Sequence, residues 1–129
     1  MIRARVTGRR HQRGEMNKVE SQFAGYLTGL KLSGQIKEFW FEEWTFVLAD
    51  GCRYTPDFVV QDALDYLIAY DTKGTKSSRN ERGEWTDKPW MEEDSAVKIK
   101  VFPMRFPIEL HIAYRANKTD GGNWHFIKV

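Results

Sequence analysis

Residues 51–74, "GCRYTPDFVVQDALDYLIAYDTKG", decide most of what the sequence predicts about the fold. The run at 53–60 is rich in β-branched and aromatic residues and predicts one strand. The mostly apolar run within 65–73 predicts a second, central strand, because strands buried on both faces lack polar alternation. Residues 61–65 are expected to form the turn before it. The stretch therefore supplies two strands around which the rest of the chain is arranged.

A helix and a further strand precede this stretch. Asn17, with a glutamate three residues later and apolar residues at helical spacing, predicts a capped helix that runs to about Leu32. Asp50-Gly51 is the strongest short-range signal for a hairpin and joins a strand at 44–49 to the strand at 53–60. The first half of the chain thus reads as one helix followed by three strands.

The segment after Lys73 has a different character. Residues 75–93 combine Gly, Ser, Asn and Pro with charges of both signs, which predicts a long loop. Asp94 or Ser95 is expected to cap a second helix, with Pro103 near its end. The chain then closes with two strands, 108–115 and 124–129, joined by a turn at 116–123.

The predicted order αβββαββ indicates an α/β fold. A chain of 129 residues buries one core, and no internal repeat or second domain is present in the sequence. We therefore expect a basic N-terminal arm over residues 1–16 and a single domain over residues 17–129. No apolar run reaches the roughly 20 residues of a membrane span, so a cytoplasmic protein is expected.

Charge and cysteine content narrow the functional classes. The net charge of +2 is too small to indicate nucleic-acid binding by itself. The lone Cys52 has no partner for a disulfide and no neighbours at zinc-ligand spacing, and is expected to be a strand residue. The positive charge is concentrated in the arm, which suits phosphate contacts but is equally typical of a merely soluble terminus. The basic residues concerned are Arg3, Arg5, Arg9, Arg10, Arg13 and Lys18.

Glu20 lies on the helical stripe that should face the sheet. At about 100° per residue it falls near Phe23, Ala24 and Leu27. A carboxylate on that stripe is a candidate metal ligand. The alternative is that Glu20 only completes the capping box with Asn17.

Asp71 and Lys73 lie on the same face of their strand, because strand periodicity is two. Taken alone, this pair is typical of a surface ion pair worth at most about 1 kcal/mol. Asp57 changes that interpretation, since Pro56-Asp57 stands where a strand is predicted and both residues are disfavoured in strands. Broken local rules often mark functional sites. A bulge or an edge strand with a solvated Asp57 is the alternative.

These residue types suit a magnesium site. Mg²⁺ prefers hard oxygen ligands and keeps several waters, so Asp57 and Asp71 with one backbone carbonyl would suffice. The carbonyl of Thr72 is the candidate third ligand, and Glu20 would join directly or through water. Lys73 beside the metal would orient a nucleophilic water or stabilise negative charge on a phosphoryl group.

With these residues identified, the chain resembles the PD-(D/E)xK nuclease superfamily. That pattern places an acid on the first helix, a Pro-Asp on a hairpin strand and an acid-x-lysine on the next strand. The sequence motifs resemble even more closely those of a small, mostly phage-encoded branch that is similar to junction-resolving endonucleases. Its motifs match Asn17-Lys18 with Glu20, Tyr54 with Asp57-Phe58, 71–74 "DTKG" and 98–102 "KIKVF".

The resemblance implies a restriction-endonuclease-like core, with a mixed β-sheet of about five strands flanked by two helices. It implies a Mg²⁺-dependent deoxyribonuclease, in which Mn²⁺ substitutes for Mg²⁺ and no organic cofactor takes part. Glu20, Asp57, Asp71 and Lys73 would be catalytic. Lys98 would reach the active site or the cleaved strand, with Lys100 as a backbone contact, although a solvated helix face explains both lysines equally well. Lys76 is a further candidate for DNA contact.

Two features depart from that pattern. The superfamily's third acid is more often Glu than Asp, and the 75–93 segment is longer than usual. Structured or branched DNA, such as a Holliday junction in the cytoplasm of a phage host, is the expected substrate. Two symmetric cuts in a junction would require a homodimer.

Two other functional classes remain open. A non-catalytic nucleic-acid-binding module on the same fold would bind DNA in a salt-dependent way without a divalent metal. A protein-interaction domain would instead use the segment that contains Trp85 and Trp90 to dock a partner. No membrane partner is expected for any of these classes.

Overall fold

The structure is a computed structural model that describes residues 4–6, 15–115 and 123–129. Within these ranges, two helices lie on opposite faces of a five-stranded sheet, and two smaller sheets are also present. In chain order the elements are β1 (Ala4–Val6), α1 (Lys18–Leu32), β2 (Ile36–Phe41), β3 (Trp44–Ala49), β4 (Cys52–Tyr54), β5 (Phe58–Asp62), β6 (Leu67–Thr72), β7 (Thr75–Arg79), β8 (Trp85–Pro89), α2 (Glu93–Arg105), β9 (Glu109–Arg115) and β10 (Trp124–Lys128).

Helix α1 forms as its sequence predicts. The Asn17 side chain accepts a hydrogen bond from the Glu20 backbone N–H at 2.7 Å, and the Glu20 carboxylate accepts one from the Asn17 N–H at 2.9 Å. This reciprocal capping box satisfies two of the free N–H groups at the helix start. The helix ends at Leu32 with Ser33 as its C-cap, and Gly34 adopts a left-handed φ of +81° beyond it.

The largest sheet has the strand order β10-β9-β6-β5-β2. Strands β2, β5 and β6 are antiparallel neighbours, β9 lies parallel to β6, and β10 is antiparallel to β9. A parallel pair needs a crossover connection, which α2 provides. The predicted α/β architecture, a mixed sheet of five strands with two helices, is therefore confirmed.

Two of the strand predictions need correction. The strand predicted at 44–49 exists as β3, but it pairs with β1 and β4 in a separate sheet, and β2 takes the place beside β5. The strand predicted at 53–60 is divided into β4 and β5. The division falls at 55–57, where Pro56 lacks the N–H that a strand ladder requires. The predicted hairpin at Asp50-Gly51 is confirmed, with Gly51 at a φ of +73°.

The long loop predicted at 75–93 is wrong for most of its length, because β7 and β8 form an antiparallel hairpin there. The Asn80 side chain accepts backbone hydrogen bonds from Arg82 and Glu84 in the turn, and Gly83 has a φ of +79°. The hairpin packs mainly on itself. None of its described residues belongs to either core, and its polar sequence lacks the apolar alternation that would predict strands.

Helix α2 carries its buried residues, Ile99 and Phe102, toward the sheet. It begins at Glu93 with Glu92 at the N-cap, rather than at a cap formed by Asp94 or Ser95. The strands predicted after it are confirmed as β9 and β10, while residues 116–122 of the predicted turn lie outside the described residues. Among the described helices, none has the length and apolar character to cross a membrane.

The two faces of the large sheet have separate cores. One core packs α2 and the β3–β4 hairpin against one face, and the other packs α1 against the opposite face. The first is built from Phe46, Leu48, Tyr54, Ala69, Ile99, Phe102, Phe106, Leu110 and Ile112. The second is built from Phe23, Leu27, Ile36, Phe58, Val60 and Ala113.

Part of the expected N-terminal arm belongs to the domain. Residues 4–6 form β1 and pair antiparallel with β3, and Met16 packs against the core beneath α1. Residues 4–6 and Met16 therefore pack with the domain, although they were expected to belong to a separate arm. Residues 1–3 and 7–14 lie outside the described residues.

Candidate active site

Asp57 lies in the connection between β4 and β5, where the chain passes from the three-stranded sheet to the large sheet. Its Oδ2 atom accepts hydrogen bonds from the Thr72 backbone N–H at 2.8 Å and from the Thr72 hydroxyl at 2.9 Å. Pro56 beside it is buried. Pro56 and Asp57, which are disfavoured in strands, therefore form an ordered connection between β4 and β5. Asp57 is hydrogen-bonded to β6 rather than solvated.

Asp71 lies near the carboxyl end of β6 and is only 6% exposed. Its Oδ2 atom accepts a hydrogen bond of 2.6 Å from the Tyr54 hydroxyl, and its Oδ1 atom lies 3.5 Å from Lys73 Nζ. The Lys73 backbone N–H donates to the Ala113 carbonyl at 3.0 Å, which ties this strand end to β9. The Asp71–Lys73 pair is largely buried, so the surface ion pair considered as an alternative is excluded.

Asp57 and Asp71 form a close carboxyl pair. Burial first, and then the charge of Asp71 and a hydrogen bond with it, raise the pKa of Asp57 well above its usual value. The Glu20 carboxylate raises the pKa further, while the Thr72 backbone N–H lowers it. Two carboxyl groups this close are stable when they share a proton or bind a cation, because two adjacent buried negative charges repel each other.

The pair opens into a cleft of about 240 Å³. Cations reach it from three elements: Arg53 from β4, Lys73 from the end of β6 and Lys98 from α2. In the described part of the chain, Arg53 and Lys98 form no ion pair. The remaining lining residues are Tyr54, Thr55, Asp57, Asp71, Asp94 and Ser95.

Glu20 was predicted either to cap helix α1 or to bind the metal. One carboxylate oxygen is bonded to the Asn17 N–H, so the capping role is present. The charge of the same carboxylate contributes to the raised pKa of Asp57, but Glu20 does not line the cleft. Its role as a metal ligand stays a prediction.

The donor set fits a magnesium ion held by two carboxylates. Asp57 Oδ2 is engaged by Thr72 and Asp71 Oδ2 by Tyr54, so a divalent cation would bind between the two carboxyl groups, in place of the hydrogen bond that they share. One or two carboxylates with water and substrate oxygens are the usual set for Mg²⁺. Among the described residues, no three side chains of His, Cys, Asp or Glu are grouped closely enough to hold a metal. The Thr72 contacts just described use its N–H and hydroxyl, and its carbonyl as a ligand stays a prediction.

The predicted DNA contacts are distributed unevenly. Lys98 lines the cleft, whereas Lys18 at the start of α1 and Lys100 are exposed and do not line it. Arg5 lies in β1 and Lys76 in β7, but their side chains are outside the described part. Outside it altogether are Arg3, Arg9, Arg10 and Arg13.

The sequence pattern did not assign three groups at the site. Tyr54 belongs to the motif that contains Asp57 and Phe58, but no role was predicted for it. Its place three residues before Asp57 is the sequence feature that could have indicated a role at the site. The Thr72 hydroxyl was missed because only its carbonyl was considered. Arg53 had no sequence signal, since it reaches the cleft only after the β3–β4 hairpin packs over the large sheet.

Comparison of the chain with protein-family models, curated proteins and solved structures finds no match. The proposal that follows therefore depends on the residues of the cleft, their contacts and the motif pattern.

Proposed function

We propose that this protein is a Mg²⁺-dependent deoxyribonuclease with a restriction-endonuclease-like core of the PD-(D/E)xK type. Its reaction would be hydrolysis of phosphodiester bonds in DNA. The observation that carries the proposal is the buried Asp57–Asp71 carboxyl pair with Lys73 3.5 Å from Asp71, at the wall of an open cleft.

The carboxyl pair is poorly explained as a stabilising feature. Burial and mutual repulsion disfavour the charged form of Asp57, and raise its pKa well above the usual value. A metal-free protein keeps such a pair at a cost in stability. A divalent cation removes that cost, because it takes the place of the shared proton and neutralises both carboxylates. The pair is thus better explained by binding than by folding.

The residues around the pair have separate tasks in this proposal. Asp57 and Asp71 would hold the metal, which when bound supplies a water of lowered pKa and polarises a phosphoryl oxygen. Lys73 orients the attacking water or stabilises negative charge that develops on the phosphoryl oxygens. Glu20 contributes negative charge from α1, either to the ion or to a water next to it.

DNA is supported as the substrate by the cations of the cleft. Arg53 and Lys98 reach it from two different elements and form no ion pair with a described acid. Arginine and lysine at such positions suit phosphate oxygens. The basic residues of the N-terminal segment would extend the contact along the DNA. Branched DNA cleaved by a homodimer is the specific form that the phage-like motif pattern favours.

Cleavage of a panel of substrates tests the proposal. Purified protein is incubated with linear, nicked, flapped and four-way-junction DNA, in EDTA or with Mg²⁺ or Mn²⁺. We expect cleavage only with the metal, and a rate at least about 100-fold lower for Asp71→Asn, since one ligand is lost. Asp65→Asn is the matched control, because this exposed aspartate lies before β6, at the opposite end of the strand.

Three outcomes would contradict the nuclease. Equal cleavage by wild type and Asp71→Asn would remove the catalytic assignment. Salt-dependent DNA binding without cleavage in any metal would indicate the non-catalytic module. Failure to bind any nucleic acid at low salt would favour a protein partner, with the half-exposed Trp90 as the first residue to test.

A further inference from the structure

We propose that Tyr54 is a positioning residue that holds the Asp71 carboxylate in the orientation needed to bind a divalent cation. This inference rests on the proposed function and adds to it a residue whose role no sequence motif defines. Tyr54 would not touch the substrate or the metal. It would act through Asp71 alone.

The contact is short and enclosed. The Tyr54 hydroxyl donates to Asp71 Oδ2 at 2.6 Å, and both residues are 6% exposed. Hydrogen bonds between a hydroxyl and a carboxylate at this distance are among the stronger ones in proteins. Tyr54 belongs to β4 of the three-stranded sheet, whereas Asp71 belongs to β6 of the large sheet. The bond therefore fixes a ligand on one sheet from a second sheet.

The two strand acids are held in the same way. Thr72 donates twice to Oδ2 of Asp57, and Tyr54 donates once to Oδ2 of Asp71. In each case a neighbouring donor engages one carboxylate oxygen, and the other oxygen of Asp71, Oδ1, is the atom beside Lys73. Ligating carboxylates are commonly oriented by such outer hydrogen bonds, whose loss costs about 10–100-fold in metal affinity or activity.

A tyrosine is suited to this task because its hydroxyl stays a donor. A phenolic hydroxyl keeps its proton at neutral pH and can donate it in a hydrogen bond. The ring also packs edge to face against Phe102 of α2, with 5.5 Å between centroids. That packing does not involve the hydroxyl, so Tyr54→Phe removes the hydrogen bond and keeps the ring contact.

The test measures metal binding without DNA. Mn²⁺ is titrated calorimetrically into wild type, Tyr54→Phe and Tyr70→Phe. Tyr70 is the matched control, because it is a partly buried tyrosine on the opposite face of β6, next to Asp71. We expect about 10-fold weaker Mn²⁺ binding for Tyr54→Phe and wild-type binding for Tyr70→Phe. In cleavage assays the Tyr54→Phe defect should shrink as Mn²⁺ is raised, with the KM for DNA unchanged.

The outcomes separate this inference from the nuclease proposal. If wild type binds no Mn²⁺, both the proposed metal site and the proposed role of Tyr54 are contradicted. If wild type and Tyr54→Phe bind equally well, only the role of Tyr54 is overturned. A second measurement avoids the variant altogether: in protein with ¹³C-labelled tyrosine Cζ, Mg²⁺ should shift the Tyr54 resonance more than that of Tyr70. No shift at Tyr54 would also overturn the inference.

Discussion

Asp57 is the residue at which the needs of folding and of the proposed function diverge. It is partly buried, accepts two hydrogen bonds from Thr72 and faces the negative charge of Asp71. The hydrogen bonds favour its charged form, whereas burial and Asp71 favour the protonated form, and the second influence is larger because the pKa of Asp57 is raised. Without metal, the neutral form of Asp57 is thus the stabilising one.

This predicts an inverse dependence of stability on pH in the metal-free protein. An unfolded aspartate has a pKa of about 3.9, and that of folded Asp57 is higher, so the folded protein binds more protons between the two values. The free energy of unfolding therefore falls as pH rises from about 4. In Asp57→Asn, which imitates the protonated form, this loss is absent. We expect wild type to lose about 1 kcal/mol or more relative to the variant by pH 7.

Urea denaturation in EDTA at several pH values measures the difference. Asp65→Asn, which removes an exposed carboxylate paired with Lys37, controls for the loss of one negative charge away from the cleft. Glu38 and Glu109, whose pKa values are lowered by lysine partners, affect all three proteins equally and cancel. Parallel curves for wild type and Asp57→Asn would show that Asp57 titrates normally.

At the scale of the element, α1 has two tasks that meet in Glu20. The carboxylate closes the capping box, and its charge reaches Asp57. Glutamine at this position retains the box, because its side-chain oxygen accepts from the Asn17 N–H equally well. Glu20→Gln therefore removes the charge alone, and Asn17→Ala removes the cap alone.

The two variants should have opposite effects. We expect Glu20→Gln to keep its stability within about 0.5 kcal/mol but to lose about 10–100-fold in cleavage rate, as outer carboxylates at metal sites do. Asn17→Ala should lose about 1 kcal/mol of stability and keep its rate. Thermal unfolding and cleavage assays on both variants measure this. Wild-type activity in Glu20→Gln would reduce Glu20 to a helix cap.

At the scale of the whole molecule, the β7–β8 hairpin lies apart from both cores. Thr75 and Pro89 are directly paired at its base, and the Trp90 N–H donates to the Gly74 carbonyl at 2.8 Å. A two-residue Asn-Gly turn is able to join directly paired residues. Lys76 and Lys88 are paired and both carry a backbone N–H, so replacing residues 77–87 by Asn-Gly should leave the fold intact.

We expect the shortened protein to keep its free energy of unfolding within about 1 kcal/mol, because no described residue of the hairpin belongs to either core. Phe46→Ala is the contrasting control, since Phe46 is fully buried in the core under α2 and should cost about 3–5 kcal/mol. Urea denaturation measures both. A loss in the shortened protein that approaches the Phe46→Ala loss would show that the hairpin supports the core.

Local signals in the sequence were sufficient for some elements and not for others. The capping box of α1, the Asp50-Gly51 turn and the apolar β6 depend on neighbours in sequence, and each was predicted correctly. Strand β2 was missed because Lys37 and Glu38 interrupt its apolar residues, and a register shift lies between Ile36 and Glu38. The β7–β8 hairpin was missed because its sequence is polar and lacks the apolar alternation that indicates a strand.

The sequence by itself determined the α/β class, the positions of the acids and the face that Asp71 shares with Lys73, since these follow from helix and strand periodicity. Only the tertiary structure decided which groups meet. It paired Asp57 with Asp71, brought Tyr54 from a second sheet to Asp71, and placed Arg53 and Lys98 at one cleft. Such contacts join residues far apart in the chain, and they form only when the two sheets and α2 pack on a common core.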